Sequence, residues 1–184
     1  MSMIRRINLY AGPSSGKSAT AGWLSQQMKK FRSPRIVTDW VQEVCKWWVY
    51  LDRPPTGYSD QNSIFSQQLG LEEVALRKCE TIVCDAPLLM NCYYGWKYNR
   101  PFYDLNVTAA KRFEADFPSV NIFLRRGDLE YEPTGRFQTE AEAKAMDDEV
   151  FGFVAENLGD DDLYEFKTTD ENGILEFVKS WIQK

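Results

Sequence analysis

Within the segment Ala11-Gly12-Pro13-Ser14-Ser15-Gly16-Lys17-Ser18 the chain gathers two glycines, a lysine and a closing hydroxyl. Gly12 and Gly16 permit backbone conformations and close approach that a Cβ would hinder. If a helix starts at Lys17, the backbone N–H groups from Ser14 to Ser18 converge on one point and can cradle the β-phosphate of a nucleotide, with Ala19 just behind them. Lys17 then reaches the β- and γ-phosphates, and the Ser18 hydroxyl suits Mg²⁺. Such a loop needs a strand before it and a helix after it. Ile4 to Tyr10 reads as a buried strand, and Lys17 to Lys30 carries Ala21, Leu24 and Met28 at helical spacing. Both conditions are met, and the segment reads as a P-loop for a nucleoside triphosphate, with ATP and Mg²⁺ expected ahead of another donor. Ala11 stands where the pattern has its first glycine, a small change.

Other residues could complete the chemistry. Asp85 closes the apolar run Thr81-Ile82-Val83-Cys84, where an acidic residue can hold Mg²⁺ through water or contact an acceptor hydroxyl. It could equally cap a turn before Pro87. Asp39 and Glu43 are four apart and would share a face of a helix, either as a partner for an acceptor hydroxyl or as a solvated face with Lys46. Arg125, Arg126 and Arg136 are candidates for neutralising a migrating phosphoryl group. Trp47, Trp48 and Tyr50, and Tyr93, Tyr94, Trp96 and Tyr98, form two aromatic clusters that could stack on a base or pack internally. Gln67 and Gln68 could read a base edge or face solvent. Trp47, Gln67, Tyr94 and Trp96 are taken as the acceptor-binding candidates.

The elements that must position these residues alternate. Strands are expected at Ile4–Tyr10, Arg35–Thr38, Thr81–Cys84, Val120–Leu124 and Leu163–Phe166. Helices are expected at Lys17–Lys30, from Asp39 to about Tyr50, and at Asn62–Lys78, Thr108–Phe117, Thr139–Leu158 and Gly173–Ile182. Asn91 to Tyr103 reads as an irregular pocket wall. This alternation predicts an α/β fold with a parallel sheet covered on both faces, whose ligands bind beyond the carboxyl ends of the strands.

Composition narrows the classes. The 184 residues suit one domain, 43% of them hydrophobic. A net charge of -5 argues against broad nucleic-acid binding, although Lys97, Arg100, Lys111 and Arg112 could make a local basic groove. No apolar run is long enough to span a bilayer, and the amino terminus lacks a secretory pattern, so a cytoplasmic location is expected. Cys45, Cys79, Cys84 and Cys92 form no C-x-x-C pair and read as buried free thiols. The chain has no His, which removes every His-based mechanism.

Four stretches together carry a resemblance. They are Asn8 to Ser18, Glu43-Val44-Cys45-Lys46, Asp85-Ala86-Pro87-Leu88-Leu89, and Leu124-Arg125-Arg126 followed by Tyr131, Pro133, Gly135, Arg136, Phe137 and Gln138. The chain resembles a group of small bacteriophage P-loop kinases related to thymidylate kinase and ribosylnicotinamide kinase, which includes kinases of 5-hydroxymethyluracil in DNA. The resemblance implies a three-layer fold with strand order 2-3-1-4-5, and a lid at about residues 126–140 carrying Arg136. It also implies acceptor-side roles for Asp85 and for Asp39 or Glu43. The family more often has Ser at Ala86, so no role passes to that side chain. The favoured reading is a kinase acting on a hydroxyl of a nucleotide-type acceptor, with hydroxymethyluracil in DNA ahead of a free nucleoside or nucleoside monophosphate. A nucleotide-driven ATPase or switch, and a non-catalytic binding module, are the readings of other classes.

Overall fold

The structure is a computed structural model that describes residues 5–31, 36–127, 131, 138–159 and 162–182. The expected lid, with Arg136, falls mainly outside the described residues. Five parallel strands form one sheet in the order β2-β3-β1-β4-β5. They are β1 (Arg6–Tyr10), β2 (Thr38–Val41), β3 (Thr81–Cys84), β4 (Ser119–Arg125) and β5 (Leu163–Lys167). The helices are α1 (Lys17–Met28), α2 (Cys45–Tyr50), α3 (Asp60–Leu76), α4 (Leu88–Lys97), α5 (Tyr103–Asp116), α6 (Glu140–Leu158) and α7 (Glu171–Ile182). Among the described residues no helix is long and apolar enough to cross a membrane.

The period of two along a strand divides β1 between two cores. Ile7 and Leu9 join Val83, Ile122 and Leu124 beneath α1 and α7. Tyr10 turns to the other face with Ile82, Cys84 and Phe123, under α3 to α6. Arg6 and Asn8 share that second face and are buried. Arg6 donates to Glu72 at 3.1 Å and also pairs with Glu114, while Asn8 donates to Ser119 and Asn121 at 2.9 Å. Burial pushes the Glu72 carboxyl up, against the pull of Arg6.

Three expectations need correction. The second strand lies at Thr38–Val41 rather than Arg35–Thr38, because Thr38 to Val41 pair in register with Thr81 to Cys84. Asp39 is therefore in a strand and Glu43 in the connection to α2, so the two do not share a helical face. The stretch expected to be irregular is helical over Leu88–Lys97, and α5 already begins at Tyr103. Gly95, Asn91 and the tyrosines lowered its apparent helix propensity. Burial of Leu88, Leu89, Met90, Cys92 and Tyr93 against the core overrides that preference. At the start of α6, Thr139 and Glu142 form a reciprocal capping box.

Candidate active site

The loop between β1 and α1 has its carbonyls tied outward. Gly12 O accepts from Ser15 Oγ at 2.7 Å. Pro13 O and Ser14 O accept from Arg126 at 2.6 and 3.0 Å. Ser15 O accepts from Thr168 Oγ1 at 2.9 Å, and Gly16 O from Thr20 N at 3.0 Å. With the carbonyls so engaged, the N–H groups of Ser15 and Gly16 make no hydrogen bond among the described residues. Gly16 sits at φ +86°, and no side chain caps α1. The result is a concave set of amides at a helix N-terminus, which fits the phosphates of ATP. Ser18, in the first turn of α1, and Asp85, after β3, offer the hydroxyl and carboxylate oxygens that Mg²⁺ takes.

Lys17 links this cradle to the neighbouring strand ends. Its Nζ donates to Asp85 Oδ1 at 2.9 Å and to the Asp85 carbonyl, and lies 3.8 Å from Glu43 Oε2. The Asp85 side chain is 2% exposed, whereas that of Glu43 is 20% exposed. Glu43 is held by its neighbour: Val44 N donates to the buried Gln68 Oε1 at 3.1 Å, and Val44 packs on Trp48 and Ile64. Asp39 lies elsewhere, pairing with Lys29 at 3.0 Å on an exposed surface. Its slight burial would raise its pKa, but the Trp40 amide and Lys29 outweigh that and hold it low.

The two arginines at the carboxyl end of β4 diverge. Arg126 forms two hydrogen bonds with Asp147 of α6, at 2.8 and 3.0 Å, while holding the loop carbonyls. The Asp147 carboxylate also fills the space over Gly12, where a Cβ would stand 1.9 Å from its Oδ1. Arg125 instead pairs with Asp148 at 3.0 Å and with Glu165, and stacks over Phe151. Asp147 belongs to no motif in the sequence, where it stands beside Asp148 and Glu149, and sequence reading did not single it out.

A cavity of about 200 Å³ opens beside Lys17 and Glu43. Val49 of α2 and Pro54 form one wall, and Met90, Tyr94 and Tyr98 form another. The Tyr94 and Tyr98 rings are stacked, 6.3 Å apart at 9°. Burial pushes the Tyr94 phenol well above its ordinary range, and the charge of Glu43 adds to this, so it stays protonated. Gln61 also lines the cavity and donates from Nε2 to Asn91 O at 3.0 Å. Its Oε1 is without a hydrogen-bond partner among the described residues.

Of the acceptor candidates, Tyr94 lines this cavity. Trp47 is exposed against Tyr50, Trp96 is exposed against Phe153, and Gln67 donates to Ser63 O on the outside of α3. Sequence reading missed Gln61, Val49, Pro54 and Met90. Gln61, three residues after Gly57-Tyr58 at the start of α3, is distinguished from Gln67 by which helical face turns inward. The four cations considered as a groove are dispersed: Lys97 pairs with Glu149, Arg112 with Asp116, Lys111 lines a separate cavity, and Arg100 lines the one beside Lys17.

No family model matches the sequence, and no curated protein matches it significantly. Solved structures do share its fold. A NadR protein in complex with NAD and AMP-PNP superposes over 98% of this chain and 50% of its own, at 10% identity and a TM-score of 0.71. A NadR protein in complex with NR covers 98% and 52%, at 12% identity and the same TM-score of 0.71. Deoxyadenosine kinase from M. mycoides, with products dCMP and a flexible dCDP, covers 97% and 98%, at 13% identity and a TM-score of 0.57. The fold is that of P-loop kinases, a parallel sheet in the order 2-3-1-4-5 with helices around it. The chain spans about half the length of the NadR chains it matches.

Proposed function

We propose that the chain is an ATP-dependent kinase that moves the γ-phosphoryl group to a hydroxyl of a nucleoside-type acceptor. Within that class the sequence resemblance favours 5-hydroxymethyluracil in DNA, with a free nucleoside or nucleoside monophosphate as the alternative. The observation that carries the reading is the position of Glu43: its carboxylate lines a cavity that also reaches Lys17, and the two groups are 3.8 Å apart. A P-loop built only to hydrolyse nucleotide has no use for an apolar slot with stacked rings at that point. The shared fold with structures that hold AMP-PNP, NR or dCMP supports the same class.

ATP with Mg²⁺ supplies the transferable group, held by the N–H groups of Ser14 to Ala19 with Lys17 and Ser18. Glu43 accepts a hydrogen bond from the acceptor hydroxyl and orients it toward the loop. Asp85 is almost wholly buried and engaged by Lys17, so its part is to position the ammonium. Phosphoryl transfer depends mainly on positioning and charge, so a strong base is unnecessary, in keeping with a chain that lacks His. Incubation with γ-labelled ATP and a panel of nucleosides, nucleotides and hydroxymethyluracil-containing DNA tests the reading. Glu43→Gln should lower kcat about a hundredfold, the low end for a proton-accepting residue. Label released only as free phosphate, with no acceptor modified, would sink it.

A further inference from the structure

We propose that the cavity beside Lys17 binds a phosphate group of the acceptor through Lys46 and Arg100, so that the acceptor is a nucleotide unit rather than a neutral nucleoside. The inference rests on the kinase reading for what the cavity holds, but its test does not require transfer.

Charge balance around the cavity points to this. Lys17 is compensated by Asp85, Arg126 by Asp147, Arg53 by Asp60 and Lys97 by Glu149. Lys46 and Arg100 both line the cavity, both are partly buried, and neither has an anionic partner among the described residues. Glu43, three residues before Lys46, is turned to Lys17 instead. Each free cation lies near only a ring: Lys46 Nζ is 5.9 Å from the centre of Tyr50, and the Arg100 guanidinium 6.0 Å from that of Tyr98. In a chain with a net charge of -5, two uncompensated cations in one cavity call for an anion from outside.

The remaining walls say what the anion is attached to. Tyr94 and Tyr98 are parallel, Pro54 and Val49 stand in the other wall, and Gln61 presents one acceptor oxygen. That set suits a planar heterocycle with an N–H edge. Beside Lys17, Glu43 offers a carboxylate oxygen to a hydroxyl, while Lys17 itself is engaged by Asp85 and serves the donor phosphates. The acceptor thus places its hydroxyl at Glu43 and its phosphate at Lys46 and Arg100. A lysine supplies a point charge and an arginine a planar fork, a pairing suited to phosphate oxygens. A monoester on a free nucleotide and a phosphodiester in a DNA strand offer the same oxygens.

The test is equilibrium binding by calorimetry. Thymidine and 5-hydroxymethyl-2′-deoxyuridine are compared with their 5′-monophosphates and with a short single-stranded DNA containing the hydroxymethyl base. The wild type and a Lys46→Gln/Arg100→Gln variant, shown folded by circular dichroism, are titrated at low and high salt. A phosphate-bearing probe should bind the wild type roughly ten- to a hundredfold more tightly than its nucleoside. That advantage should collapse in the variant and shrink with salt. Advantage for the monophosphate assigns the site to a free nucleotide, and advantage for the strand only assigns it to DNA; either supports the phosphate subsite. Equal binding of nucleoside and phosphate-bearing probes, an advantage that survives both substitutions, or no binding of any phosphate-bearing probe overturns it. Label transfer from ATP is scored separately. Transfer to neutral nucleosides without a phosphate advantage removes the subsite and leaves the kinase reading. Phosphate binding that needs Lys46 and Arg100, with no acceptor ever labelled, does the reverse.

Discussion

Replacing Asp147 by Ala should weaken ATP binding although Asp147 lies on α6 and belongs to no phosphate-binding motif. Arg126 holds the carbonyls of Pro13 and Ser14 and is itself fixed by two bonds to Asp147. Ser14 is the residue at stake, because its φ of +58° is unfavourable for a side chain larger than glycine's. Pro13 is already restricted by its ring. Without Asp147 the guanidinium loses its anchor, Ser14 relaxes, and nucleotide binding must reorder it at a cost of about 1–2 kcal/mol. The Kd for AMP-PNP should therefore rise roughly five- to thirtyfold. The same variant should lose about 2–3 kcal/mol of stability, below the full cost of breaking a buried pair because the two side chains are 10% and 20% exposed. Calorimetry measures the first quantity and urea denaturation the second. A folded Asp147→Ala protein whose Kd stays within about twofold of wild type would refute the bracing role.

Gly12 supplies a sharper check. A Cβ there meets Asp147 Oδ1 at 1.9 Å and Ala143 O at 3.3 Å, so Gly12→Ala drives the carboxylate off Arg126. Once Asp147 is Ala, the first clash is gone and the tolerable one remains. The double variant should be less impaired than the two single losses summed, with a coupling of about 1–2 kcal/mol in ATP binding. Additive losses would place the need for Gly12 elsewhere.

Glu72→Ala should cost about 2–3 kcal/mol in urea denaturation, because it removes one of the two carboxylates on the buried Arg6 guanidinium while Glu114 remains, and an unchanged midpoint would contradict the pairing. Glu142 is held below its ordinary 4.5 by the Thr139 amide and hydroxyl, so it binds protons more weakly when folded. Its contribution is then present above pH 4.5 and lost as pH falls through the folded value. The stability gap between wild type and Glu142→Gln should close between pH 7 and pH 3, and an equal gap at both would dismiss the cap. Cys45 lines the cavity beside Lys17, whereas burial pushes the Cys92 thiol up to about 12 and the Cys84 thiol well above its ordinary value. Iodoacetamide should inactivate through Cys45, saturating acceptor should slow the loss, and Cys45→Ser should resist it; inactivation of that variant at the wild-type rate would redirect the search.

The donor half was legible because its determinants are contiguous. Gly16, Lys17 and Ser18 act through one positive-φ turn and one helix start, fixed within a few residues, and the strand before them repeats apolar residues at the period of a strand. Strand order followed from the resemblance, and the register of β2 did not, since it depends on pairing with β3. The acceptor half was illegible for the same kind of reason. Its walls come from α2, the Pro54 loop, α3 and α4; Trp47 is turned outward because α2 buries Trp48 against Ile64, and the choice between Tyr94 and Trp96 is decided by packing of α4 on the core. Likewise Arg6 and Asn8 could be recognised as buried only through Glu72, Glu114 and Asn121, far along the chain.

The two halves meet through α6 and the residues that lead into it. Gln138, which accepts from Tyr131 through its carbonyl, lines the acceptor cavity. Thr139 caps the helix one residue later. Two turns on, Ala143 and Asp147 lie against Gly12 and Arg126, and Glu149 receives Lys97 and Tyr93 from the helix that carries Tyr94. A helix is stiff along its axis, so α6 holds Asp147, and through Arg126 the carbonyls of Pro13 and Ser14, at a fixed separation from the Thr139 cap. The capping box, the bracket on Arg126 and the contact with α4 therefore place the residues leading into α6 in physical contact with the β1–α1 loop and the cavity wall together.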